Sequence, residues 1–249
     1  MQAKPQVLLF AHPRSGSSSV YQILQLHPEL NILEEPFNEG FTTWNPQAKN
    51  YRELVVDIPS LDAQISDILT TYNGIKMLDY QLPDPLAVHL LQRPDWAVIF
   101  LRRRNLLQAV VSVLIATQTR LWKTWDMHKP LEAYYQDLQP LSIPEIQQRV
   151  IYLKQHMDML EAIVDRRPAD TTIKLVYEDL YFAPAPQREA QIAAIWHMLK
   201  LDRLPPEPLQ QYLQPEQAKV NSAATYALLP NAKEIHEQCG NDLTGWLYE

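Results

Sequence analysis

Two stretches of this sequence bring together the residue types that hold phosphate. The first, His12-Pro13-Arg14-Ser15-Gly16-Ser17-Ser18-Ser19, sets one arginine, one glycine and four serines directly behind the apolar run 7–11. Where a strand feeds a helix through a small-residue turn, several backbone N–H groups point at one place and the helix dipole adds partial positive charge. In such a cradle Gly16 lets the backbone approach an anion closely. The hydroxyls of Ser15, Ser17, Ser18 and Ser19 donate, and Arg14 supplies a fixed charge. A serine-rich helix start also caps itself, and that is the competing use of these residues. The segment is not a Walker A loop, which needs Gly-x-x-x-x-Gly-Lys-Ser/Thr: Gly16 stands alone and no lysine follows it. ATP or GTP hydrolysis is therefore disfavoured, and a dinucleotide fingerprint is absent too.

The second stretch is Arg102-Arg103-Arg104-Asn105, behind the apolar run 96–101. A run of like charge costs repulsion unless an anion or carboxylates lie nearby. Arg104 and Ser112 are eight positions apart, roughly 12 Å of helical rise with faces about 80° apart. A long arginine arm closes that gap, and its fork binds phosphate oxygens two at a time. A charged helix start with an incidental serine is the alternative.

Proton transfer needs a base, and Glu34-Glu35-Pro36-Phe37 supplies candidates. Paired carboxylates raise each other's pKa, which suits general-base work. Glu34, Glu35 and Glu39 are all candidates; a solvated loop acid before a turn proline is the plainer use. His12, one residue before Pro13, is a further candidate, whereas His27, His89 and His128 sit in no matching pattern. Lys76, in Gly74-Ile75-Lys76-Met77, is placed either to reach a transferred anionic group or to charge a strand end. No His, Cys and Asp cluster has metal-ligand spacing, so a metal is not expected.

These residues need a scaffold. Runs 7–11, 75–78, 96–101 and 172–176 read as buried strands. Helical spacing follows at 17–26, 61–70, 85–93, from Asn105 to about Trp122, at 143–167 and at 186–200. Strands alternating with helices predict an α/β fold, a mostly parallel sheet flanked by helices on both faces. Residues 44–60 and 123–141 read as loops, and the tail from 205 is proline-rich and then mixed.

The chain's 249 residues and 46% hydrophobic content suit one large domain over 1–249. A net charge of -7 argues against nucleic-acid binding by bulk electrostatics but leaves room for a local anion site. The single cysteine, Cys239, forms no internal disulfide, which points to a reduced, cytoplasmic setting. No apolar stretch approaches the length of a membrane span, and the N-terminal run has the wrong form for a signal peptide.

Pro13-Arg14-Ser15-Gly16-Ser17-Ser18 resembles the 5′-phosphosulfate loop of sulfotransferases, usually Pro-Lys/Arg-Ser/Thr-Gly-Thr/Ser-Thr/Ser. The segment from Arg103 to Ser112 is similar to that family's 3′-phosphate element, an arginine followed eight positions later by serine. Lys174-Leu175-Val176-Tyr177-Glu178-Asp179-Leu180 looks like its strand followed by Tyr-Glu-Asp-Leu. Lys219-Val220-Asn221-Ser222 lies where relatives place a late loop over the cofactor. Gln118-Thr119 and Trp122 resemble the bacterial trehalose 2-sulfotransferase branch. The resemblance spans roughly residues 6 to 200, and the tail and the 123–170 region match poorly.

The resemblance implies a single sulfotransferase domain with a P-loop-like phosphate-binding turn. It implies 3′-phosphoadenosine 5′-phosphosulfate (PAPS) as sulfuryl donor and 3′,5′-adenosine bisphosphate (PAP) as product, with no metal. Arg14 would sit near the oxygen bridging phosphorus and sulfur. Arginine here, in place of the lysine of cytosolic animal enzymes, is a feature of bacterial and carbohydrate-acting members. Glu-Pro at Glu35-Pro36 is common among the carbohydrate enzymes and points to Glu35 as base. The acceptor would be a hydroxyl on a sugar, lipid or small metabolite. It would be met by loops 38–60 and 123–145, where Trp44, Tyr51, Trp122, Trp125, Tyr134 and Tyr135 could stack on it or simply pack. Sulfuryl transfer should resemble phosphoryl transfer through a loose in-line transition state, so catalysis is mainly positioning and charge stabilisation. A nucleotide kinase and a non-catalytic PAPS-binding protein remain as alternatives.

Overall fold

Strands whose every position is apolar can be buried on both faces, and the runs 7–11 and 96–101 meet that demand. The computed structural model describes residues 5–45, 47–122, 127–128, 130, 132–213 and 223–248. Its strands are β1 (Gln6–Ala11), β2 (Ile32–Glu34), β3 (Gly74–Leu78), β4 (Trp96–Arg102) and β5 (Thr172–Val176). They form one sheet in the order β2-β3-β1-β4-β5, and every pairing is parallel. From β1 the chain passes β3 to reach β2, returns to β3, and then crosses to β4. The direction of the connections reverses around β1, and in open parallel sheets the crevice outside the carboxyl ends at such a point is where ligands bind.

The chain divides into two units, Met1–Arg102 with Leu160–Leu213 and Arg103–Met159 with Gln214–Glu249. The first holds the sheet. On one sheet face Val7, Leu9 and Ala11 pack with helix α1 (Ser17–Gln25), with α9 (Tyr177–Tyr181), α10 (Ala185–Leu199) and α11 (Pro206–Leu213). On the opposite face Leu8, Phe10, Val98 and Phe100 are just as buried, and the Phe10 and Phe100 rings stack 6.1 Å apart. The pleat alternates sides with period two, so the register decides which residues share a layer. Leu9 pairs with Lys76 and Lys76 with Glu34. A lysine and a glutamate thus stand side by side on the face that α1 covers.

Between β2 and β4 lie α2 (Phe41–Trp44), α3 (Tyr51–Leu54), α4 (Ile58–Ile68) and α5 (Asp84–Gln92). Helix α4 starts before the periodicity at 61 because Asp57 and Ser60 close a capping box around Pro59. Residues 44–60, expected as one loop, are broken by α3 and the start of α4. Strand β2 is not legible in the sequence, because three residues carry too little periodicity.

The second unit is helical: α6 (Leu106–Thr119), α7 (Glu132–Tyr135), most of α8 (Ile143–Val164), α12 (Ala223–Tyr226) and α13 (Ala232–Cys239). Its tail closes the start of α6. Asn105 Oδ1 accepts from Gln108 N, while Leu107 N donates to Thr244 O. Asn105 Nδ2 donates to Trp246 O at 2.8 Å and Gln108 Nε2 to Leu247 O at 3.2 Å. A Cβ on Gly245 would lie 2.4 Å from the Asn105 side chain, so that turn requires glycine. Among the described residues no helix is long and apolar enough to cross a membrane.

Candidate functional site

The turn after β1 is built on unusual backbone. Arg14 (φ 65°) and Gly16 (φ 82°) both adopt the left-handed conformation, on either side of Ser15. For arginine that conformation costs energy and needs support. Support comes from the Ser15 hydroxyl, which donates to His12 O at 2.6 Å, and from the Tyr181 hydroxyl, which donates to Gly16 O at 3.0 Å. A Cβ on Gly16 would meet the Tyr181 ring at 2.7 Å. Helix α1 begins at Ser17 with Gly16 as its N-cap and no side-chain cap. The serines of this turn therefore do not cap the helix, although serine is well suited to that job. A helix start of this kind keeps first-turn N–H groups for an outside acceptor.

Beside the turn stands a buried charge cluster. Lys76 is 0% exposed, and its Nζ lies 2.7 Å from Glu35 Oε1, 2.9 Å from Glu34 Oε1 and 3.3 Å from Ser18 Oγ. The Tyr21 ring, one turn on from Ser18, has its centroid 5.9 Å from the same nitrogen. Burial alone would push the Lys76 ammonium down; Glu35 and then Glu34 more than offset that, and its pKa stands above the ordinary lysine value. Glu35 is held on its other oxygen as well, where Oε2 accepts from Asn38 Nδ2 at 2.8 Å and Gln81 Nε2 at 2.9 Å. Its backbone is left-handed too (φ 53°), pinned by Glu35 N donating to Lys76 O at 2.8 Å. The other left-handed non-glycine residues, Arg120 and Lys200, are helix C-caps, where that conformation is usual. Arg14 and Glu35 have no such explanation, and strain of this sort gathers at functional sites.

A third feature lies where β1 and β3 end. Ala11 and Leu78 are register partners, so the next residues, His12 and Asp79, emerge side by side. His12 Nδ1 is 2.8 Å from Asp79 Oδ2, and Asp79 N donates to Ala11 O at 3.0 Å. His12 is legible in the sequence as a candidate, and Asp79 is not. Equal strand ends in a parallel β1–β3 pair were the signal for it. Asn38 and Gln81 were missed as well, and no local pattern marks them.

The structure thus brings Arg14, Ser15, Gly16, Ser17, Ser18, Ser19, Glu34, Glu35 and Lys76 to the carboxyl edge of β1, β2 and β3. Glu39 pairs instead with Arg52 at 3.2 Å, and Arg52 also reaches Gln81 O. His27 and His89 bond to Asp202 O and Asp62, respectively. Arg104 and Ser112 belong to the other unit, where Arg104 is exposed and Ser112 buried. There, at the α6 start, Leu107 N already donates to Thr244 O and Gln108 N to Asn105 Oδ1. Of the aromatic residues expected near an acceptor, Tyr135 is buried, Trp122 is exposed, and Tyr51 packs on Phe41. Tyr134 accepts from His128 N. Trp125, the Trp44 side chain and Lys219-Val220-Asn221-Ser222 lie outside the described residues. Among the described residues no group of His, Cys, Asp and Glu is placed to hold a metal ion.

No protein-family model and no curated protein sequence matches this chain.

Proposed function

We propose that the protein is a sulfotransferase that moves the sulfuryl group of PAPS to a hydroxyl on a sugar, lipid or small metabolite. The observation that carries this is the turn after β1. A left-handed arginine and glycine lead into a helix without a side-chain cap, and the second helical serine is tied to a buried glutamate–lysine cluster. An anion cradle and proton-transfer groups on one sheet edge are what transfer to a hydroxyl requires. The resemblance of Pro13–Ser18 to a 5′-phosphosulfate loop names the anion.

PAPS supplies an activated sulfuryl group. The α1 start with Ser17, Ser18 and Ser19 holds the 5′-phosphate; the resemblance alone assigns the 3′-phosphate to Arg104 with Ser112. Arg14 meets the charge that grows on the bridging oxygen; a guanidinium stays protonated, so its help is electrostatic. Lys76, enclosed by two carboxylates and Ser18, fixes the carboxylates against the cradle. Two groups at this edge can take the hydroxyl's proton, Glu35 and His12. The setting is cytoplasmic, in keeping with the lone Cys239.

The test is transfer from ³⁵S-labelled PAPS to glucose, glycerol, p-nitrophenol and water. The wild-type protein labels at least one of them, and Arg14→Ala lowers the rate by about 10²–10³-fold. Donor binding without any transfer would favour a non-catalytic binding protein. Magnesium-dependent phosphorylation from ATP would favour a kinase.

A further inference from the structure

We propose that His12, held by Asp79, is the group that takes the acceptor's proton, and that Glu35 is a positioning residue. This rests on the sulfuryl-transfer reading above. A base needs a lone pair that no other donor occupies and that a substrate can reach. An ionised carboxylate offers about four such positions. On Glu35, Oε2 already accepts from Asn38 and Gln81, and Oε1 accepts from Lys76. The Glu35 side chain is only 10% exposed. Three donors therefore hold the carboxylate in place.

His12 is built differently. Asp79 is a carboxylate and accepts, so the 2.8 Å contact fixes the proton of a neutral imidazole on Nδ1. Nε2 is left with its lone pair, and among the described residues none bonds to it. The ring is 18% exposed while Asp79 is 4% exposed, so the partner is sheltered and the working end is open. Both residues are anchored by the sheet. Asp79 N binds Ala11 O, and the His12 carbonyl accepts the Ser15 hydroxyl. His12 also stands two residues before Arg14, the residue assigned to the leaving group.

In the step this assigns, the acceptor's O–H bond breaks and its proton goes to His12 Nε2. The oxygen forms a bond to sulfur as the bond from sulfur to the bridging oxygen breaks. The electron pair stays on that oxygen, now part of the product phosphate, beside Arg14. Asp79 stabilises the imidazolium until the proton passes to solvent. Asp79 acts through His12 and is a positioning residue.

Long-range ¹H–¹⁵N NMR of the histidine-labelled wild-type protein should show His12 as the Nδ1–H tautomer, and Asp79→Asn should lose that preference. His12→Gln should bind PAP within about threefold of wild type by calorimetry. It should lose about 10²–10⁴-fold in transfer to the acceptors named above. An Nε2–H tautomer in the wild type, or a His12→Gln variant that transfers at the wild-type rate, overturns the assignment alone. A wild-type protein that binds no PAP and labels no acceptor overturns the sulfotransferase reading, and this assignment with it. If His12→Gln does not fold, the wild-type tautomer and Asp79→Asn transfer still decide.

Discussion

Lys76 is where residue chemistry and stability meet. A buried lysine between two glutamates contributes little net stability, but removing one partner leaves charge uncompensated. Lys76→Met should therefore destabilise the protein by about 3–5 kcal/mol in urea unfolding. A loss below about 1 kcal/mol would mean that the cluster is hydrated. The folded pKa of Lys76 lies above the ordinary value. Its contribution is thus complete below the unfolded value, about 10.4, and falls as pH rises past it towards the folded one. Stability measured between pH 9 and 11 should drop more for wild type than for Lys76→Met. Glu35 and Lys76 were each legible in the sequence, but their contact was not. It depends on the pairing of β3 with β2, and β2 has only three residues. The left-handed backbone of Arg14 and Glu35 was equally hidden, because propensity gives no reason to place either residue there.

At the scale of elements, four of the five strands were legible, because Val, Leu, Ile and Phe runs behind polar turns admit few other readings. The all-parallel order follows from helices between the strands. What could not be read was the tail. Its residues 241–248 act at a distance, closing α6 through Thr244, Trp246 and Leu247 carbonyls. No local pattern announces a helix cap supplied from about 140 positions away. Asn105 holds both ends of this closure, as α6 cap and as donor to Trp246 O. Asn105→Ala should cost about 1–2 kcal/mol in thermal or chemical unfolding. It should also raise hydrogen exchange at Leu107 and Gln108 ahead of the rest of α6. Unchanged exchange at these two amides would show that the tail is not what closes the helix.

For the whole molecule, a net charge of -7 means that an anionic ligand is recognised locally rather than steered by the overall field. On the proposed reading, the turn after β1 is the element that does so, and the 3′-phosphate role of Arg104 is open to direct test. Arg104→Ala should weaken binding of PAP by about tenfold or more, and leave binding of adenosine 5′-phosphate unchanged. An equal loss for both ligands would remove the 3′-phosphate role from Arg104. Calorimetric titration with PAP against ATP and magnesium decides whether this protein takes a sulfuryl donor. A sulfotransferase should show saturable one-to-one binding of PAP, at least about tenfold tighter than that of ATP, a difference of about 1.4 kcal/mol. No heat with PAP, or tighter binding of ATP with magnesium, would contradict it.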